Sequence, residues 1–148
     1  MTHPILIASD HAGFELKQHL LPFLKARGFA VKDIGTDGPD SVDYPDFGAK
    51  AARAILNKEA AWGIVVCGTG IGISIAANRF KGIRCALCTS PEMGRLAKEH
   101  GDCNLIALGG RTTSPELAEK IVEAFINAEF QGDRHTRRIG KMDAADFC

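Results

Sequence analysis

The sequence predicts an α/β fold, a three-layer αβα sandwich around a doubly wound, five-stranded parallel sheet of Rossmann-like type. Three observations carry this. Short apolar runs alternate with helix-period stretches along all 148 residues. Most of those runs are continuously apolar, as strands covered on both faces are. No linker or low-complexity segment interrupts the alternation, so residues 1–148 read as one domain, long enough to bury a core.

The strands, in order, are "ILIAS" (5–9), "AVKDIG" (30–35), "GIVVC" (63–67), "IRCALC" (83–88) and "NLIALG" (104–109). Between the first two, Leu16, Leu20, Phe23 and Leu24 form a single apolar stripe, and Gly28 stops the helix. "YPDFGAKAARAIL" supplies the second helix, with Phe47, Ala51, Ala54 and Ile55 turned inward. The third opens inside a glycine loop and runs through "SIAANRF". "TSPE" starts the fourth at Ser90 and the fifth at Ser114, a serine cap followed by proline and an acid at the positive end of the helix dipole. It is capping chemistry used twice, not a duplication. Residues 131–148 form a basic C-terminal helix or tail.

Composition excludes several classes of function. Lys plus Arg and Asp plus Glu each number 18, so no overall field favours nucleic acid or an anionic membrane. The opening "MTHPILIASD" lacks the charge and apolar pattern of a secretory signal, and no apolar stretch approaches the ~20 residues that span a bilayer. Five cysteines, an odd number, read as reduced cytoplasmic thiols. Cys85 and Cys88 form a C-x-x-C, but their odd offset on a strand points them to opposite faces, and zinc is not expected. Cys103 and Cys148 have no partners at ligand spacing.

Open sheets of this kind bind ligands beyond the carboxyl ends of their strands, where the strand order reverses. With strand 1 between strands 2 and 3, the loops to consider are "SDHAG" (9–13) and "CGTGIG" (67–72). The second has no lysine for a P-loop, and its third glycine falls one residue too early for a dinucleotide fingerprint. What remains is a nest of amides at a helix N-terminus, suited to an anion or an enediolate oxyanion, or else a tight turn that serves packing alone. Cys67 stands at its mouth, where a thiolate is favoured, though a buried strand-end cysteine is the commoner fate. Asp10 and His11 break the apolar run of strand 1 at the same edge, and Asp10 alone reads more readily as a helix cap. His100 at a helix end is either a structural group facing the dipole or an acid/base. "DRHTRRIGK" (133–141) is a local basic cluster, either a solvated helix or a grip on one small anion, with Arg134 and Arg138 on one helical face.

Together these residues resemble the ribose-5-phosphate isomerase B family, which includes the allose- and galactose-6-phosphate isomerases. "SDHAG", "DYP" (43–45), "CGTGIGISIAAN" (67–78), "EHGDCN" (99–104), "GGR" (109–111) and "GDRHTRRI" (132–139) follow its landmarks in order over essentially the whole chain. The resemblance implies aldose–ketose isomerisation of ribose 5-phosphate through a cis-enediolate, with no metal or other cofactor. It implies Cys67 as the base, Thr69 and the loop Gly68, Gly70, Ile71 and Gly72 as holders of the enediolate, and His100 as the ring-opening acid/base. Asp10 and Tyr44 would contact sugar hydroxyls. His11, Arg111, Arg134, His135 and Arg138 would surround the phosphate. The family site lies between subunits, so a homodimer is implied, with the basic tail reaching the partner and assembly beyond the dimer left open.

The family's alternative carboxylate base is replaced here by the stretch Ile73–Ser74, leaving Cys67 as the candidate. The asparagine that often follows the ring-opening histidine is Gly101. Tetrose 4-phosphate and the allose and galactose 6-phosphates are therefore alternative substrates within the family. A non-catalytic sugar-phosphate-binding module is the alternative outside it, but such a module needs neither the thiol nor the histidine.

Overall fold

A computed structural model describes residues 3–145. Its described elements are β1 (Ile5–Ser9), a 3-10 turn (His11–Gly13), α1 (Phe14–Ala26), β2 (Val31–Asp33), α2 (Tyr44–Leu56), β3 (Gly63–Cys67) and α3 (Ile71–Asn78). They continue with β4 (Cys85–Leu87), α4 (Pro91–Glu99), β5 (Leu105–Gly109), α5 (Pro115–Asn127) and α6 (Arg134–Asp143). The sheet order is β2-β1-β3-β5-β4, and every pairing is parallel. The expected α/β sandwich is the observed fold. Cys148 lies outside the described residues, as do positions 146 and 147 of the tail.

Successive strand residues serve opposite faces of the sheet. Ile5, Ile7, Ile64, Val66, Ile106 and Leu108 share one core with Leu16, Leu20 and Leu24 of α1, Ala97 of α4 and Ile121 and Phe125 of α5. Leu6, Ala8, Val65, Cys67, Leu105 and Ala107 join Ala51 and Ile55 of α2 and Ile73 and Ala77 of α3 in the other. Two separate cores on one sheet are what continuously apolar strands require. Cys85 lies in the second core and Cys88 in the first, the opposite faces their odd spacing implies.

The central strands match their expected limits closely, whereas the edge strands are shorter. β2 stops at Asp33, where the Asp33 carboxylate accepts the Gly35 amide at 3.1 Å and turns the chain. β4 spans only Cys85–Leu87 because it pairs on one side alone, with β5. Both serine caps form: Ser90 Oγ accepts from the Met93 amide at 3.2 Å and Ser114 Oγ from the Leu117 amide at 3.1 Å. The basic tail is helical over Arg134–Asp143, with only His135 and Ile139 buried.

Candidate active site

The strand order reverses between β1 and β3, and the chain opens a cleft of about 460 Å³ at their carboxyl ends. Asp10, His11, Tyr44, Cys67, Gly68, Thr69, Ile71, Gly72 and Arg111 line it. Sequence placed all of these in one site, and the fold brings them together. A larger cavity of about 540 Å³ lies elsewhere, against Phe80, Arg84, Cys85, Cys103 and Met142, and contains none of them.

Backbone bonds lock the three loops that form the cleft. The Asp10 amide donates to Val66 O at 3.2 Å, Gly110 to Cys67 O at 2.7 Å and Arg111 to Gly68 O at 2.9 Å. Within the glycine loop, Gly70 caps α3 with φ of 80°, a conformation that disfavours any side chain, and its amide donates to Cys67 Sγ at 3.2 Å. The Ile71 amide donates to Thr69 Oγ1 at 3.2 Å, leaving the threonine hydroxyl proton to point elsewhere. The amides of Gly68, Thr69 and Gly72 have no hydrogen-bond partner among the described residues. They are free donors at a helix start, beside a sulfur that already accepts one N–H.

The cleft wall is equally specific. A Cβ at Gly72 would collide with the Tyr44 ring, so glycine there lets the tyrosine lie against the loop. Asp10 Oδ1 accepts from the Gly13 amide at 3.0 Å, so the cap reading is realised while the carboxylate still faces the cleft. His11 Nδ1 accepts the Val42 amide at 3.2 Å, which places the proton of the neutral ring on Nε2 as a donor. Arg111 lies over Gly68 and is exposed, supplying positive charge at the rim.

His100, Arg134, His135 and Arg138 do not line this cleft. His100 ends α4, which descends from the carboxyl edge of β4, so it sits at the opposite end of the sheet from Cys67. The five residues of β5 climb back between the two levels, roughly 15 Å at ~3.3 Å per residue. There the His100 and His135 rings stack, centroids 4.2 Å apart and nearly parallel at 12°. Arg134 and Arg138 stand exposed beside them on α6. The residues named from sequence thus fall into two separate clusters within one chain.

Burial, the neighbouring His100 and the cations of Arg134 and Arg138 lower the His135 pKa from its ordinary value, against a smaller opposing effect of Asp133. Its Nε2 is buried with no hydrogen-bond partner among the described residues. The unfolded chain therefore binds this proton more readily than the folded one. Stability is expected to be full above pH ~6.5 and to decline as the pH falls below that value toward the depressed folded pKa. Urea titrations should show this acid limb flattened in His135→Gln; an unchanged limb would assign it to other groups.

Burial opposes ionisation of the other cysteines in the described residues. Burial pushes the Cys88 thiol up to about 12 and Cys103 up to about 11, and raises Cys85 as well. Gly101 has a local cause. A Cβ there would meet Cys103 Sγ at 2.8 Å and Ala97 O at 3.0 Å, so the sulfur fills the space a side chain would need.

The cleft residues that sequence reading did not single out are Ala12 and Ile75, the latter one turn after Ile71. Ile71 is 51% and Ile75 57% exposed, beside a Tyr44 that is 41% exposed. Among the described residues no set of three or more metal-ligating side chains converges, and no helix is long and apolar enough to cross a membrane.

A family model described as Ribose/Galactose Isomerase matches residues 5–142. The chain belongs to the ribose/galactose isomerase family. Among its relatives, ribose-5-phosphate isomerase B of Escherichia coli is 41% identical over 142 residues, covering 96% of this chain and 95% of the relative. The solved ribose-5-phosphate isomerase B of Clostridium thermocellum superposes with a TM-score of 0.93 at 53% identity, covering 95% of each chain. That of Thermotoga maritima gives 0.94 at 50%, covering 98% of this chain and all of the other. This family member is accordingly a sugar-phosphate isomerase of the aldose–ketose type.

Proposed function

We propose that this isomerase interconverts ribose 5-phosphate and ribulose 5-phosphate through a cis-enediolate, with Cys67 as the base. The observation that carries this reading is the contact of Cys67 Sγ with the Gly70 amide inside a cleft of free loop N–H groups. The sulfur there faces the Gly70 amide at the start of α3. It removes the proton on C2 of the open-chain aldose and returns it to C1. The negative charge that develops on the substrate oxygens meets the amides of Gly68, Thr69 and Gly72 and the Thr69 hydroxyl, donors already in place before the reaction. Asp10 and Tyr44 engage sugar hydroxyls, and His11 and Arg111 reach the phosphate.

The ring-opening and phosphate-gripping roles fall to His100, Arg134, His135 and Arg138. They lie too far from their own Cys67 to act there, so in this reading a second copy supplies them and the enzyme is a homodimer with shared sites. The exposed Ile71, Ile75 and Tyr44 at the cleft mouth support this, since such apolar groups are the material of interfaces. The single domain thus ends in a basic helix that serves its partner.

The test is to incubate the enzyme with ribose 5-phosphate in D₂O and follow the sugar by NMR. Deuterium should enter C2 of the recovered aldose and C1 of the ketose, and more slowly with allose or galactose 6-phosphate. A binding module without chemistry would produce no exchange with any sugar phosphate, and that result would overturn the proposal.

A further inference from the structure

Arg84 was not among the residues the sequence singled out, yet it ties together the elements that carry the His100–His135 stack. Its side chain is 17% exposed and nearly every donor is used. Nε donates to Gly101 O at 2.9 Å and Nη2 to Asp102 O at 2.7 Å. Nη1 reaches both oxygens of Asp143, at 3.0 and 2.8 Å. The Arg84 backbone is held as well: its amide donates to Asn104 Oδ1 at 2.9 Å, and its carbonyl accepts the Asn104 amide at 3.1 Å.

The two elements joined by this guanidinium are the His100–Asp102 turn and the last turn of α6. Those same elements present the stacked His100 and His135 rings. α6 has little else to hold it. It buries only His135 and Ile139, and Arg84–Asp143 is its sole ion pair to another element among the described residues. The stack fixes the beginning of the helix and Arg84 fixes its end. The Asp102 backbone, with φ of 39°, is a conformation that needs such external support.

We infer that Arg84 is a positioning residue that clamps the basic helix α6 onto the His100 turn, setting the geometry of the His100–His135 stack and of Arg134 and Arg138. Its kinetic consequence rests on the proposal that these groups grip the substrate phosphate. The clamp itself does not.

Two readouts on the full-length enzyme separate the cases. The variants are Arg84→Met, which keeps the length of the stem, Arg84→Lys, which restores a cation, and Asp143→Asn, which leaves both carbonyl contacts in place. In proton NMR titrations the His135 imidazole should move toward the ordinary histidine range in Arg84→Met and Asp143→Asn, and back toward native in Arg84→Lys. KM for ribose 5-phosphate and the inhibition constant of inorganic phosphate should rise about 5–10-fold in the first two, with kcat changed less. A folded Asp143→Asn protein of lower Tm but native His135 titration would overturn the clamp and leave Arg84 a stability residue. A shifted titration with unchanged phosphate inhibition would uphold the clamp and overturn the phosphate-gripping role instead.

Discussion

Cys67→Ala is expected to lower kcat for ribose 5-phosphate by roughly 10²–10⁴, the usual contribution of a positioned general base. The loss should fall on kcat, because the phosphate contacts remain and KM reports them. Cys67→Ser is the sharper variant. It keeps an acceptor for the Gly70 amide, which Sγ now receives at 3.2 Å, while replacing the thiol with a hydroxyl far harder to ionise. Both proteins should retain the native circular dichroism spectrum, since Cys67 is one small residue in a well-filled core. A variant that keeps more than about a tenth of native turnover would move the base elsewhere.

The second large effect concerns α6. Arg134→Ala or Arg138→Ala should each raise KM by roughly 10–150-fold, as removal of a charge-assisted contact worth ~1.5–3 kcal/mol predicts. Inorganic phosphate should inhibit the native enzyme competitively, and the double variant should lose that inhibition. Both arginines are exposed in the isolated chain, so their removal leaves the packing of His135 and Ile139 intact. Unchanged KM in the double variant would make α6 a solvated helix.

Much of this was legible in the residues. "ILIAS", "GIVVC" and "LIALG" could only be buried on both faces, and they became the three central strands. The edges were harder to read. β2 and β4 gain pairing on one side only, so apolar character at 30–35 and 83–88 overran the ladder. The placement of β5 inside β4 leaves no mark on spacing, because either order uses the same connections. Chain position at the strand ends pointed to Asp10, His11 and Cys67, and the family resemblance to Arg111, and all four line the one cleft. Arg84 stayed hidden because its partners at Gly101, Asp102 and Asp143 are distant in sequence. The separation of His100 from Cys67 follows from parallel topology, since a helix that leaves the carboxyl edge of a strand must end at the other edge.

That separation makes subunit mixing the most direct measurement of the whole account. A Cys67→Ala chain lacks the proposed base but keeps His100, Arg134 and Arg138. An Arg134→Ala/Arg138→Ala chain lacks the proposed phosphate grip but keeps Cys67. Each parent protein alone should be nearly inactive at low substrate. After mixing under conditions where mass spectrometry shows that subunits exchange, the hybrid should contain one intact site built from Cys67 of one chain and α6 of the other. Activity should therefore reappear, approaching one native site per hybrid. Demonstrated hybrids that remain as inactive as the two parents would contradict a site shared between chains.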